Sequence, residues 1–202
     1  MSTHEEPAAH EHPGSPDGTS ARTLAITQNI TVDGRVEMLG DWFDPAAQDE
    51  ELLAEIHRQD ATCDALLLGR RTFLDLRGYW PEQTDDRTGI ADQLGTVAKY
   101  VVSTTLADPG WQRSTIIGQD PLAAIRDLKR RPGQDIVCTG SITLCHALLS
   151  AGLVDEVRLF TYPVIQGRGR RLFPDDLPAV DARLDRSMSF GNGVTYTGWS
   201  LQ

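Results

Sequence analysis

Asp135 to Phe173 reads DIVCTGSITLCHALLSAGLVDEVRLFTYPVIQGRGRRLF, and the order of its parts decides the fold. Ile136, Val137 and Cys138 form a short apolar run that stops at Thr139-Gly140-Ser141. From Ser141 the apolar spacing turns helical, with Leu144, Leu148 and Leu149 on one face. Gly152 ends that helix, and Val154 to Val164 is β-branched and aromatic enough to be a strand. The stretch thus reads as a buried strand, a tight turn, a helix, a second strand and a basic loop. A glycine between strand and helix lets backbone N–H groups approach an anion, which the helix dipole also favours. Ser141 adds a hydroxyl and a capping side chain. Taken alone, the same turn is an ordinary strand-to-helix connection, so the rest of the chain has to decide.

Working outward, the same grammar recurs. Thr23 to Ile30 reads as a first strand running into Thr31-Val32-Asp33-Gly34, where Asp-Gly is a turn signal. Gln48 to Gln59 is helical, with Leu52, Leu53 and Ile56 on one face. Ala65 to Leu68 is an apolar strand that meets Gly69-Arg70-Arg71-Thr72 and a new helix. Ile90 to Val97 is a short helix, and Lys99 to Thr104 a strand ending in hydroxyls. A brief strand at Thr115 to Ile117 precedes a helix opened by Asp120-Pro121, a cap followed by proline at the first helical position. Ala182 to Phe190 and Val194 to Leu201 alternate on either side of Gly191-Asn192-Gly193, a β-hairpin signature. The chain therefore predicts an α/β fold: a mixed, mostly parallel sheet, helices on both faces, and a C-terminal β-hairpin. Residues 1–21 are rich in Pro, Gly, Ser and Glu and predict a disordered tail, leaving residues 22–202 as one domain.

Bulk properties narrow the function. With 202 residues and 40% hydrophobic content the chain can bury a proper core. A net charge of −10 argues against a nucleic-acid surface while allowing a local basic pocket. No apolar run approaches the roughly 20 residues that span a bilayer, and the N-terminus lacks the order of a secretion signal, so the expectation is a cytoplasmic protein. Cys63, Cys138 and Cys145 read as small core residues in a reducing compartment. A zinc site of Cys138, Cys145 and His146 has the wrong spacing for a knuckle, and no metal is expected.

Three strand ends carry polar corners: Gly69-Arg70-Arg71-Thr72, Ser103-Thr104 and Thr139-Gly140-Ser141. In an open α/β sheet such ends line one crevice. The glycine corners suit a pyrophosphate and the arginines, with their planar forks, a further phosphate. A dinucleotide such as NADPH fits that set, although no GxGxxG fingerprint is present. Trp42, Phe43, Tyr79 and Trp80 lie in loops where they either cover a ring-shaped ligand or fill the domain's own core. Glu156 and Arg168 are expected to pair near a strand end, with an anionic substrate as the other partner within reach of Arg168.

These words in this order resemble the dihydrofolate reductase-like superfamily over residues 22–202: TVDG at 31–34, LLGRRTF at 67–73, YW at 79–80, VVSTTL at 101–106 and the long run from Thr139 to Phe173. The nearest branch is the C-terminal reductase domain of bifunctional riboflavin biosynthesis enzymes. The resemblance implies the three-layer fold of that superfamily, NADPH as cofactor, a small-molecule substrate and a homodimer. Gly69, Arg70, Arg71 and Thr72 would bind phosphates, Ser103 and Thr104 the adenosine 2′-phosphate, and Thr139, Gly140 and Ser141 the pyrophosphate. Asn29, Thr31 and Asp33 would flank the nicotinamide; separately, as loop aromatics, Trp42, Phe43, Tyr79 and Trp80 are candidates to line the substrate pocket. Asp33 is the expected proton donor, with water as the alternative and a purely turn-forming role as the simpler one. Two departures bear on the substrate. The helix carboxylate that holds the pterin in folate reductases corresponds here to Leu53. The Glu-Gly-Gly common in the riboflavin branch is replaced by Thr139-Gly140-Ser141, and the zinc deaminase often fused to that branch is absent from this sequence. The expected activity is hydride transfer from NADPH to a small heterocyclic or carbonyl substrate. Reduction of 5-amino-6-(5-phosphoribosylamino)uracil and a non-catalytic nucleotide-binding module are the alternatives.

Overall fold

The computed structural model describes residues 21–44 and 49–202. The predicted N-terminal tail falls outside those residues except for Ala21, and so does Gln48, the expected first residue of the first helix. The elements follow in the order β1 (Leu24–Thr31), α1 (Glu50–Asp60), β2 (Cys63–Gly69), α2 (Arg70–Tyr79), α3 (Ile90–Thr96), β3 (Ala98–Val102), β4 (Ser114–Ile117), α4 (Pro121–Arg130), β5 (Asp135–Thr139), α5 (Ile142–Ser150), β6 (Glu156–Tyr162), β7 (Ala182–Ser189) and β8 (Thr195–Leu201). A single turn of 3-10 helix, Trp80–Glu82, extends α2.

All eight strands join one sheet in the order β4-β3-β2-β5-β1-β6-β8-β7. The first six are parallel, and β8 runs antiparallel to both β6 and β7. The run Ile136-Val137-Cys138 explains why β5 sits at the centre: all three side chains are buried, so neither face of that strand is left for water. Ile136 and Cys138 join Leu24, Ile26 and Leu67 under α4 and α5, while Val137 joins Leu66, Leu68 and Phe73 on the other face. A third cluster of Leu52, Phe160, Phe190 and Tyr196 seats α1 over the hairpin end of the sheet.

The hairpin turns where Gly193, at φ +84°, takes a left-handed conformation that favours glycine. Its N–H donates to the Phe190 carbonyl at 3.0 Å. Strand β7 is the sheet edge and carries a bulge between Leu184 and Arg186, a device that keeps a free edge from templating another strand.

One buried charge stands out in the core. Lys99 is 0% exposed; its ammonium donates to the carbonyls of Leu94 (2.6 Å) and Val97 (2.9 Å) and lies 4.5 Å from the centre of the Trp111 ring. These contacts tie the end of α3 to β3, and burial pulls the Lys99 pKa down to about 8.

Candidate functional site

The parallel register places Leu67 of β2 beside Cys138 of β5, so both strands end together and their turns touch. The Ser141 hydroxyl accepts from the Gly69 N–H at 2.9 Å, and the Ser141 N–H donates to the Thr72 hydroxyl at 2.8 Å. Gly140 and Ser141 both have left-handed backbone, at φ +58° and +41°. A Cβ at Gly140 would come within 2.7 Å of the Thr72 methyl, so only glycine lets the two turns pack. Both hydroxyls accept a backbone N–H through oxygen, which leaves their own hydrogens for another acceptor.

This double turn floors a cleft of about 740 Å³, lined from Gly69 to Thr72 and from Gly140 to Leu144. Among the described residues no side chain caps the N-terminus of α2 or of α5, and the first residues of both helices line the cleft. Arg70 and Arg71 are exposed on its wall and enter no ion pair with a described residue. Val102, Pro121 and Leu122 supply an apolar side.

The far wall is Val36 to Leu39 with Arg170. Arg170 binds Glu37 twice, through its backbone N–H and its guanidinium, each at 2.8 Å. Those hydrogen bonds hold the Glu37 carboxyl below the usual carboxylate range. Gln166 fastens the same wall: its Oε1 accepts from Trp42 Nε1 at 2.8 Å and its Nε2 donates to the Glu37 carbonyl at 3.0 Å.

Asp33 anchors this wall from below. Its carboxylate accepts from the Thr31 hydroxyl (2.6 Å) and from the N–H groups of Gln166 (3.0 Å) and Gly167 (2.8 Å). The Thr31 hydroxyl first, then the Gln166 N–H, hold its pKa far below the ordinary value. These donors commit the Asp33 carboxylate to the wall of the cleft, at a position where a proton donor is expected.

Other predicted residues are placed differently. Ser103 is buried, and its hydroxyl accepts from the N–H groups of Thr105 (3.2 Å) and Leu106 (3.0 Å) in its own turn. Thr104 is exposed beside it, and the cleft reaches β3 at Val102 rather than at either hydroxyl. Thr139, the last residue of β5, is the register partner of Thr27 in the middle of β1, and both are half-buried. The Thr27 hydroxyl meets Gln59 of α1, so Asn29, two residues along β1, points to the α1 face as well. Thr31 is buried and committed to the Asp33 turn.

Trp42 and Phe43 take the core option. Their rings pack on Tyr162 with centroids 5.2 and 5.7 Å away. Trp80 lines a separate depression of about 350 Å³ with Tyr79 and Thr88. Glu156 pairs with Arg158 at 2.7 Å, not with Arg168: alternate positions along β6 share a face, and Arg168 lies beyond the strand. The sulfurs of Cys138 and Cys145 lie 3.6 Å apart in the core, while His146 bonds the Arg171 carbonyl at 3.0 Å. Among the described residues no group of three or more His, Cys, Asp or Glu side chains is placed to hold a metal ion.

Sequence reasoning missed Glu37, Arg170 and Gln166. Glu37 and Arg170 meet only because β1 and β6 are neighbours in the sheet, and neither sits in a motif.

Comparison with known proteins decides the family. Residues 22–196 match the RibD C-terminal domain. This chain belongs to the RibD C-terminal domain family. An uncharacterized member-like relative, YyaP of Bacillus subtilis (strain 168), is 31% identical over 181 residues, covering 86% of this chain and 92% of its own. Among solved structures, a putative riboflavin biosynthesis protein from Shewanella sp. PV-4 is similar with a TM-score of 0.67 and 18% identity, covering 89% of this chain and 99% of that one. Dihydrofolate reductase from Enterococcus faecalis, complexed with NADP(H), is similar with a TM-score of 0.58 and 14% identity over 89% of this chain and 96% of its own. The fold of the RibD C-terminal domain, and of this chain, is therefore dihydrofolate reductase-like. No helix among the described residues is long and apolar enough to cross a membrane.

Proposed function

We propose that this protein is an NADPH-dependent reductase acting on a small heterocyclic or carbonyl substrate. One observation supports the reading: two uncapped helix N-termini, hydrogen-bonded to each other through Ser141 and Thr72, open into a single cleft with two exposed arginines on its wall that enter no ion pair with a described residue. Helix N-termini and exposed guanidinium groups are a phosphate-binding set, and the glycine at Gly140 lets the two turns pack close enough to form one floor. On this reading Gly69, Thr72, Gly140 and Ser141 hold the pyrophosphate. Arg70 and Arg71 take the 2′-phosphate with Thr104 one strand along, and Ser103 keeps to its turn. Val102, Pro121 and Leu122 offer an apolar surface for the base.

When bound, the reduced nicotinamide supplies the hydride. The protein's own part is to fix the phosphates, orient the ring beside the end of β1 and exclude water from the reacting atoms. Because Asp33 is held ionised, we assign proton delivery to water, with Asp33 holding the Val36–Leu39 wall in place. The substrate side is the α1 face near Asn29, where Thr139 also turns by strand alternation.

Family membership and the similarity to a putative riboflavin biosynthesis protein from Shewanella sp. PV-4 support a second reading, reduction of 5-amino-6-(5-phosphoribosylamino)uracil. Titration with NADPH, followed by fluorescence, tests the cofactor; loss of the reduced-nicotinamide absorbance with a panel of carbonyl and pyrimidine substrates tests turnover. Failure to bind NADPH removes the proposal. Binding without oxidation of NADPH by any substrate leaves a nucleotide-binding module. Complementation of a reductase-deficient strain decides the pyrimidine reading. Sedimentation tests the homodimer implied by the resemblance, and a monomer at working concentration removes it.

A further inference from the structure

Gln28 lies on β1 between Ile26 and Ile30, on the face that packs under α5, and is 4% exposed. An amide buried among apolar side chains is costly unless it is hydrogen-bonded. Here its Nε2 donates to the Gly140 carbonyl at 2.7 Å and lies 3.4 Å from the Cys145 sulfur.

The Gly140 carbonyl and the Ser141 N–H belong to one planar trans peptide and point in opposite directions. The N–H end is held by the Thr72 hydroxyl at 2.8 Å. A single peptide plane is thus gripped at both ends, by Gln28 from the core and by Thr72 from α2. The grip matters because Ser141 is not glycine yet sits at φ +41°, a conformation that costs a side-chain-bearing residue energy. Were the plane to turn over, the Gly140 carbonyl would face the cleft and present an acceptor where the proposed phosphate needs donors. Packing does not call for an amide at position 28, since a leucine there would fill a similar volume.

We propose that Gln28 is a positioning residue for the cofactor site: it holds the Gly140–Ser141 peptide with its carbonyl turned away from the cleft, so that the double turn receives phosphate. It touches no ligand itself. The inference rests on the NADPH reading for the ligand and on the hydrogen bonds alone for the clamp.

The test compares wild type with Gln28→Leu and Gln28→Glu in the full chain. Hydrogen exchange at the Ser141 amide is read without ligand, NADPH affinity by fluorescence titration, and folding by thermal unfolding. Gln28→Leu is expected to stay folded, to exchange Ser141 about 10-fold faster and to bind NADPH about 10-fold more weakly, as the loss of one buried hydrogen bond allows. Gln28→Met, of similar length without the amide, takes its place if the leucine variant does not fold. In Gln28→Glu the carboxyl donates only when protonated. Its burial raises the pKa, so NADPH affinity should recover toward wild type as pH falls, a rescue that packing alone cannot give. Unchanged Ser141 exchange and unchanged affinity in the leucine variant overturn the proposal. If wild type itself fails to bind NADPH, the functional reading falls, and the exchange arm still decides the clamp: faster exchange upholds it, unchanged exchange sinks it.

Discussion

Helices α1 and α4 carry an aspartate at the cap position, and α3, with Gly89 there, is served by Asp86 from the preceding loop, whereas α2 and α5 have no carboxylate at their start. Asp49 accepts from the N–H groups of Glu51 (2.9 Å) and Leu52 (3.2 Å), and Asp120 from that of Ala123 (3.3 Å). Asp86 reaches into the first turn of α3 and accepts from Ala91 at 2.9 Å. At α2 the cap position is Gly69, and at α5 it is Ser141, whose hydroxyl serves the neighbouring turn instead of its own helix. Each cap is worth about 1 kcal/mol. The two helices that forgo one are those whose first turns floor the cleft. Helix α4 also borders the cleft, yet its start is closed by Asp120 and it contributes the apolar Pro121 and Leu122. The uncapped starts coincide with the floor of the cleft, where the proposed phosphate would need donors.

Installing the missing cap gives the sharpest way to break this contrast. Gly69 has φ −75° and ψ 157°, suitable for a capping residue, and a Cβ there meets only the Ser141 side chain at ordinary contact distance. Gly69→Asp is expected to leave stability equal or higher by a few tenths of a kcal/mol. The same carboxylate would fill the donors and repel phosphate, weakening NADPH by about 100-fold or more, as loss of charge-assisted hydrogen bonds implies. Fluorescence titration beside thermal unfolding reads both effects, and intact affinity would remove the idea that these N–H groups bind the cofactor.

Gly140→Ala comes next. Strain at φ +58° and the 2.7 Å approach to Thr72 should push the turns apart, costing roughly 1–2 kcal/mol of stability and about 10-fold or more in NADPH affinity. Equal affinity in the alanine variant would mean the cradle is not used. At a capped helix the outcome should reverse: Asp49→Ala should lose about 1 kcal/mol in urea unfolding with NADPH affinity unchanged. A parallel loss of affinity would show that the distinction between the two kinds of helix is false.

The effect with no expected consequence for the cleft is a pH slope far from it. Burial lowers the Lys99 pKa from 10.5 to about 8 in the folded protein. Between those values the unfolded chain binds more protons than the folded one, so stability should rise as pH increases through that window. Lys99→Met should flatten this rise in urea midpoints measured across the window. An identical slope in both proteins would assign it to other groups.

Much of the fold was legible because its signals are local. Ile136-Val137-Cys138 followed by Thr-Gly-Ser, or Asp120-Pro121 before an apolar period, states strand, turn and cap within a few residues. The glycine corners at Gly69 and Gly140 were legible for the same reason. What each polar group does at those corners was not. Ser103 and Ser141 both end strands, but one hydroxyl closes its own turn and the other crosses to Gly69. Trp42 and Phe43 suit either a ligand or a core, and only the position of Tyr162 selects the core.

The amino-acid sequence by itself determined the alternation of strands and helices, the hairpin and the sites where only glycine fits, because propensity, period and backbone sterics act over a few neighbours. Tertiary structure alone decided that β2 and β5 lie side by side, that Asp33 is spent on the Gln166–Gly167 backbone, and that Gln28 reaches the Gly140 carbonyl. Hydrogen bonds between residues far apart in the chain exist only after the sheet has chosen its strand order, and no local pattern encodes that choice.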